Sequence, residues 1–262
     1  MSADVTILGS GTLIPDHMRH SPAFLIEEGR ARVLLDGGAG LLDGLSRVGV
    51  RWTEVTHVAL THFHLDHIGG LPPFLFALSH GVSPRRSTPL TILGPPGLGG
   101  LMDALAVVHG DFVLDPGFDL EIVEIERDGQ YSGRGVQLYS CPTPHSEESV
   151  AYRWVGQSGA VGYTGDTGPH PSLADFFRGV RVLITECSHE DFPTAETHMT
   201  PSEIALLAGG ISPELVVTTH VYPPLSPEDV PRLIRKAGYQ GCVLAGKDGM
   251  RFSLEDGHIL KR

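Results

Sequence analysis

Cysteine is scarce in this chain. Cys141, Cys187 and Cys242 are an odd number, widely spaced, with no C-x-x-C pair. That excludes a disulfide framework and predicts free, buried thiols. Basic residues are also few: 19 Lys and Arg stand against 31 Asp and Glu, a net charge of −12. Binders of long nucleic acid draw most of their affinity from Lys and Arg that neutralise phosphates. Short pairs such as Arg85-Arg86 and Lys261-Arg262 make no such patch and read as solvated surface. Long nucleic acid is therefore not the expected partner. No apolar run approaches the ~18 residues of a membrane span. Met1-Ser2-Ala3-Asp4 leads into a strand without a basic leader. The expectation is a cytoplasmic chain with no membrane partner. The 33 Gly and 20 Pro are dispersed, which indicates many loops rather than a disordered tail.

With 41% apolar residues, the chain holds enough for a full core. One α/β domain over residues 1–262 is expected. Hydrophobic patterning predicts two similar halves. The first has strands near Val5–Leu8, Ala23–Glu28, Arg32–Asp36, Thr56–Leu60 and Leu90–Leu93, with helices at Gly40–Val48, Gly70–His80 and Gly97–Val108. The second has strands near Leu120–Glu126, Val136–Ser140, Ser149–Val155, Ala160–Tyr163, Val180–Thr185, Leu215–Thr218, Cys242–Leu244 and Arg251–Leu254. Its helices fall at Pro201–Gly209 and Pro227–Ala237. Strand-rich halves followed by helices predict two sheets face to face with helices outside.

The most informative run is Thr61-His62-Phe63-His64-Leu65-Asp66-His67-Ile68-Gly69-Gly70. It sets three imidazoles and a carboxylate within six residues, the ligand density of a site for two metal ions. Neutral imidazole and carboxylate suit zinc, manganese or iron. In an extended segment His62 and His64 point the same way, because side chains alternate with period two. Asp66 and His67 follow where the chain turns and can face a second ion.

This run resembles the H-x-H-x-D-H signature of the metallo-β-lactamase superfamily. Further matches follow in the family's order: His145 in Pro144-His145-Ser146, Asp166 in Gly165-Asp166-Thr167-Gly168, and His220 after Val217-Thr218-Thr219. The segments Leu8-Gly9-Ser10-Gly11-Thr12 and Leu35-Asp36-Gly37-Gly38 agree too, so the resemblance spans essentially the whole chain. It implies an αββα four-layer sandwich and two divalent metal ions per chain, zinc by default. His62, His64 and His145 would hold the first ion, Asp66, His67 and His220 the second, and Asp166 would bridge them. Asp66 would also orient the water, and Asp36 is a plausible partner for a ligand histidine. A homodimer is expected by resemblance only.

Two details look like the ribonuclease Z branch. One is Pro144-His145-Ser146-Glu147-Glu148-Ser149-Val150-Ala151-Tyr152-Arg153, with Ala151 where that branch usually has Gly. The other is Glu186, followed by His198-Met199-Thr200 ahead of an apolar helix. The resemblance makes His198 a candidate general acid or phosphate contact and Glu186 its orienting partner. The transfer-RNA-processing members commonly carry a protruding arm between the motifs of His145 and Asp166. Here only 20 residues separate the two, and two strands use them up. Together with the acidic balance this predicts a phosphodiesterase for a small diester, a cyclic nucleotide or a cyclic sugar phosphate, cleaved by a metal-activated hydroxide. The alternatives are a ribonuclease Z-type endonuclease, a hydrolase of a thioester, lactone, sulfate ester or β-lactam, or a non-catalytic metal-binding protein. His17, His20, His170, His189 and Tyr222 lie in loops near the motifs and could touch substrate. His57, His80, His109 and His258 read as structural or solvated.

Overall fold

A computed structural model describes residues 2–192, 196–255 and 258–261. The strands are β1 (Ala3–Gly9), β2 (Ala23–Glu28), β3 (Ala31–Leu35), β4 (His57–Ala59), β5 (Leu90–Gly94), β6 (Leu120–Glu124), β7 (Gln130–Gly133), β8 (Val136–Pro142), β9 (Val150–Gly156), β10 (Gly159–Tyr163), β11 (Val180–Glu186), β12 (Leu215–Thr219), β13 (Val243–Ala245), β14 (Arg251–Glu255) and β15 (His258–Lys261). The helices are α1 (Leu41–Arg47), α2 (Leu65–Ile68), α3 (Leu71–His80), α4 (Leu98–His109), α5 (Ser172–Phe176), α6 (Pro201–Ile211) and α7 (Val230–Lys236).

The strands form an eight-stranded sheet, β15-β14-β1-β2-β3-β4-β5-β6, and a seven-stranded sheet, β13-β12-β11-β10-β9-β8-β7. Both are mixed: β3 to β6 and β10 to β13 run parallel, and the other pairings are antiparallel. Period two sorts their side chains. In β2 and β3, Phe24, Ile26, Val33 and Leu35 join the core between the sheets. Leu25 and Leu34 point the other way, onto the layer of α1, α3 and α4. In the second sheet Val182 and Ile184 face inward, and Leu183 meets α5, α6 and α7. Three apolar layers thus separate four layers of structure, the αββα sandwich expected from the sequence. Trp154, Tyr152, Phe24 and Phe252 are the large side chains buried between the sheets. Burying each fully is worth ~1.5–3 kcal/mol.

The patterning missed β7, β15, α2 and α5. β7 is a polar edge strand with alternately exposed residues, so it has no apolar run to find. α2 and α5 are four and five residues long, too short to show helical periodicity. α6 begins where its sequence indicates: Thr200 caps it through a capping box with Glu203, and Pro201 fills the first turn. One correction concerns Arg86. It is not solvated surface but 6% exposed, and its guanidinium donates to the carbonyls of Thr53, Val55, Thr88 and Pro89. Burial pushes its pKa down to about 10. Cys141 and Cys187 are buried free thiols as expected, whereas Cys242 is exposed. His57, at the start of β4, is fully buried and expected to be structural. Its partners are hydroxyls: Thr56 Oγ1 at 2.8 Å and the Tyr131 hydroxyl at 3.4 Å. Burial, with the charge of Arg134, pushes its pKa down to about 4.

Parallel strands end at one common edge, and the chain places its polar cluster there. β3 runs out into Asp36, β4 into His62, β8 into His145, β10 into Asp166 and β12 into His220, while β11 ends on Glu186. The two sheets touch at this edge: Val150 N donates to Thr61 O (3.0 Å) and the Tyr152 hydroxyl to Leu60 O (2.8 Å). Among the described residues no helix is long and apolar enough to cross a membrane.

Candidate metal centre

The loop after β4 is held by its neighbours' backbone. Gly37 N donates to His67 O (2.7 Å) and Gly70 N to Gly37 O (2.8 Å). The approach is close enough to need glycine: a Cβ on Gly38 would meet Asp66 O at 2.1 Å. Gly165, at φ 56°, presses against Thr61 in the same manner. His64 caps α2 in an extended conformation (φ −64°, ψ 147°), so the chain turns immediately after His62 and His64 have been delivered.

Their nitrogens converge. His62 Nε2 and His64 Nδ1 are 3.1 Å apart, and His145 Nε2 is 3.0 Å from His64 Nδ1. These three form one group able to hold an ion, and Asp66, His67 and His220 form a second. Within the second, His220 Nε2 lies 3.3 Å and His67 Nε2 3.9 Å from Asp66 Oδ2. Asp166 sits between the groups. Its Oδ2 is 3.7 Å from His145 Nε2 and 3.5 Å from His220 Nε2, and its Oδ1 is 3.3 Å from His67 Nε2. The structure therefore brings all seven residues expected as ligands into one cluster.

The electrostatics ask for a cation. Burial, together with the neighbouring His67, holds the pKa of His62 well below the ordinary histidine range, so its ring is neutral and free to ligate. Burial disfavours charge on His67 as well, but Asp166 and Asp36 outweigh it and drive its pKa well up. Burial likewise opposes ionisation of Asp166, yet His220 and His67 hold it well below the usual carboxylate range. Two buried atoms, His67 Nε2 and Asp166 Oδ1, have no hydrogen-bond partner among the described residues. Buried polar atoms are rarely left so. An ion between them would satisfy both, and the imidazole and carboxylate donors fit a divalent metal.

A second ring of contacts fixes the donors. Asp36 is fully buried at φ 57°. It accepts from His67 Nδ1 (2.7 Å), the Tyr163 hydroxyl (2.7 Å), Thr61 N (2.7 Å) and Thr61 Oγ1 (2.9 Å). With Nδ1 engaged, His67 presents Nε2 to the cluster. His145 Nδ1 donates to Thr197 O (3.0 Å), and Ser188 Oγ bridges Glu186 and His220 Nδ1 (3.0 Å). Tyr163, Thr61, Ser188 and the Thr197 carbonyl were not found from sequence. Hydroxyls and carbonyls carry no spacing signal.

His198 stands beside the cluster, 17% exposed in its side chain, with its ring 4.8 Å from that of His145. Its Nδ1 donates to Glu186 Oε1 (2.9 Å) and lies 3.1 Å from Oε2. Glu186 is itself fixed by Thr167 N (2.6 Å) and Met199 N (3.3 Å). Burial works against a charge on His198, but the hydrogen bond and charge of Glu186 prevail and raise its pKa. A cavity of about 630 Å³ opens over the cluster, lined by Leu13, Ser21, Ala39, Leu65, Tyr222, His198 and four of the ligand candidates, His64, Asp66, His145 and Asp166. Of the five loop residues considered for substrate contact, Tyr222 lines the cavity. His189 stacks on Tyr222 at 5.8 Å. The others are placed elsewhere: His17 is solvated beside Asp16, His20 is bound to Asp248 (2.8 Å), and His170 pairs with Ser172 (2.7 Å).

The family described as the beta-lactamase superfamily domain matches residues 31–221. A ribonuclease Z of Mycobacterium bovis is 27% identical over 94% of this chain and 96% of its own length. Among solved structures, the metallo-beta-lactamase fold protein YhfI from Bacillus subtilis has a TM-score of 0.85 at 21% identity, covering 97% of this chain and 100% of that one. The short form of human tRNase Z has a TM-score of 0.77 at 21% identity, covering 96% and 99%.

Proposed function

Because the chain belongs to the beta-lactamase superfamily, we propose that it is a dinuclear metal-dependent hydrolase that cleaves a small phosphodiester. In this reading His62, His64 and His145 hold one divalent ion, Asp66, His67 and His220 the other, and Asp166 bridges. Zinc is the default, with manganese and iron served by the same donors. When bound, such a pair supplies Lewis acidity and brings the pKa of a water toward ~7.

The chain's own groups do the rest. The side chain of Asp66 is 9% exposed. The hydrogen bond from His220 and the charge of His67 overcome its burial and keep its pKa low, so it stays an ionised acceptor that orients the attacking water. Glu186 holds His198 by Nδ1, which leaves Nε2 to carry a proton to the departing oxygen. The His198–Glu186 pair at the cluster's rim is the observation that carries the phosphodiesterase reading. Hydrolysis of a thioester, lactone or sulfate ester gives that histidine no evident role.

A cavity of about 630 Å³ suits a small molecule. The similarity to the mycobacterial ribonuclease Z favours one second reading, an endonuclease acting on transfer-RNA 3′ ends. Against it, β9 and β10 pair from Gly156 and Gly159 onward, so only Gln157 and Ser158 form the turn and no arm lies between them. The net charge of −12 also disfavours a long polyanion.

Turnover of bis(p-nitrophenyl) phosphate by zinc- and manganese-loaded protein tests the proposal. Activity that collapses in His198→Ala while two ions stay bound supports it. No turnover from protein that holds two ions overturns it, and cleavage of a precursor transfer RNA instead establishes the second reading.

A further inference from the structure

We infer that the site selects singly charged phosphodiesters bearing an aromatic or apolar arm, with Leu13, Leu65 and Tyr222 as the residues that select it; this rests on the phosphodiesterase reading above. The cavity has two chemically distinct parts. Its floor is His64, Asp66, His145, Asp166 and His198, all given over to ions and phosphate. The remaining lining is Leu13, Ala39, Leu65, Tyr222 and Ser21. Leu13 is 64% exposed and Leu65 78% exposed. A mainly apolar wall beside a few convergent polar groups is the usual make-up of a small-molecule site.

Tyr222 supplies a rigid aromatic surface. Its ring stacks on His189 (5.8 Å, 23°) and meets His220 edge-on at 5.3 Å. A planar arm on the diester gains contact there that a small or heavily hydroxylated arm does not. Ser21 is the one aliphatic hydroxyl in the lining, and it already donates to Thr12 O (3.2 Å).

A second negative charge has nothing to meet. No lysine or arginine is among the residues lining the cavity. Arg19, on the same loop as Leu13, is already engaged by Gly246 O, Ser10 Oγ (2.9 Å) and Glu228 (3.1 Å). Two divalent ions against Asp66 and Asp166 leave a surplus of two positive charges, which a diester monoanion and one hydroxide balance. A further phosphate on the substrate would find no lysine or arginine in the lining to compensate it.

The test uses diesters that share a p-nitrophenolate leaving group and differ in the arm that remains: p-nitrophenyl, methyl, thymidine 5′, and thymidine 5′ carrying a 3′-phosphate. Rates with the zinc-loaded full chain are each divided by the uncatalysed rate. The aryl and thymidine arms are expected to exceed the methyl arm at least about tenfold in kcat/KM, chiefly through KM. The added 3′-phosphate is expected to cancel that advantage. Tyr222→Ala and Leu65→Ser should each draw the aryl-to-methyl ratio toward one. Equal kcat/KM for methyl and aryl arms, or preference for the doubly charged arm, overturns the inference and leaves the phosphodiesterase reading standing. If no ester turns over, that reading falls, and binding decides the subsite. In ligand-observed NMR the holoprotein should then broaden the ring protons of phenyl methylphosphonate in wild type and not in Tyr222→Ala. Absence of broadening in wild type overturns the inference.

Discussion

Two carboxylate–histidine pairs stand around the cavity, Asp36 with His67 and Glu186 with His198, and they differ in what surrounds the histidine. In both, the acid is buried and grips Nδ1 at 2.7 and 2.9 Å, and in both the histidine is drawn toward the charged form. His67 has no exposed surface and its Nε2 faces Asp166. His198 lines the cavity. In the proposed reading the same pair would hold a donor for an ion in one place and a mobile proton in the other. His57 completes the comparison: equally buried, but given hydroxyls instead of a carboxylate, its pKa moves the opposite way, down to about 4.

The largest effect should come from the pair whose histidine lines the cavity. His198→Ala is expected to lower kcat by roughly 10²–10⁴-fold with two ions retained, read by steady-state kinetics beside elemental analysis. A loss of metal in that variant would erase the distinction between the pairs. Next comes the buried acid. Asp36→Ala strands four donors, and a loss of about 3–5 kcal/mol in unfolding free energy is expected, with metal affinity down about 10–100-fold. Denaturant titration and competition with a chelator measure the two.

His57 gives the third test through pH. Its folded pKa of about 4 lies below the ordinary 6.5. The unfolded chain therefore binds the proton first as pH falls. Stability is full above about 6.5 and declines by up to about 3 kcal/mol on approaching pH 4. His57→Gln should flatten that decline, seen as a difference between the two proteins' denaturation midpoints across pH. The smallest effect is expected for Glu186→Gln. It keeps an acceptor for His198 but removes the charge, so kcat should fall about tenfold. The alkaline limb of the rate profile should move to lower pH, because the general acid then loses its proton sooner.

The sandwich was legible in the sequence because β2, β3 and β11 are short apolar runs of strand length and β8 alternates. The run from His62 to His67 was legible as a candidate metal site because four possible donors crowd into six residues. His145, Asp166 and His220 were legible only as an ordered set, since each alone is an ordinary loop residue. What stayed hidden is tertiary. Nothing near Ser188 says that it lies against His220, and nothing near Arg86 says that four carbonyls will enclose it. Asp36 was legible only as a plausible partner for a ligand histidine. Its four donors come from segments up to 127 residues away and meet only when both sheets are in place.

The seven donors are not drawn from one sheet. His62, His64, Asp66 and His67 follow β4 of the eight-stranded sheet, whereas His145, Asp166 and His220 follow β8, β10 and β12 of the other. Ions seated among them would act as rivets through the open edge of the sandwich. Joining the halves and filling the site would then be a single equilibrium. A thousandfold excess of metal over its dissociation constant would add about 4 kcal/mol to stability. The melting temperature of this protein should then report the free metal concentration around it.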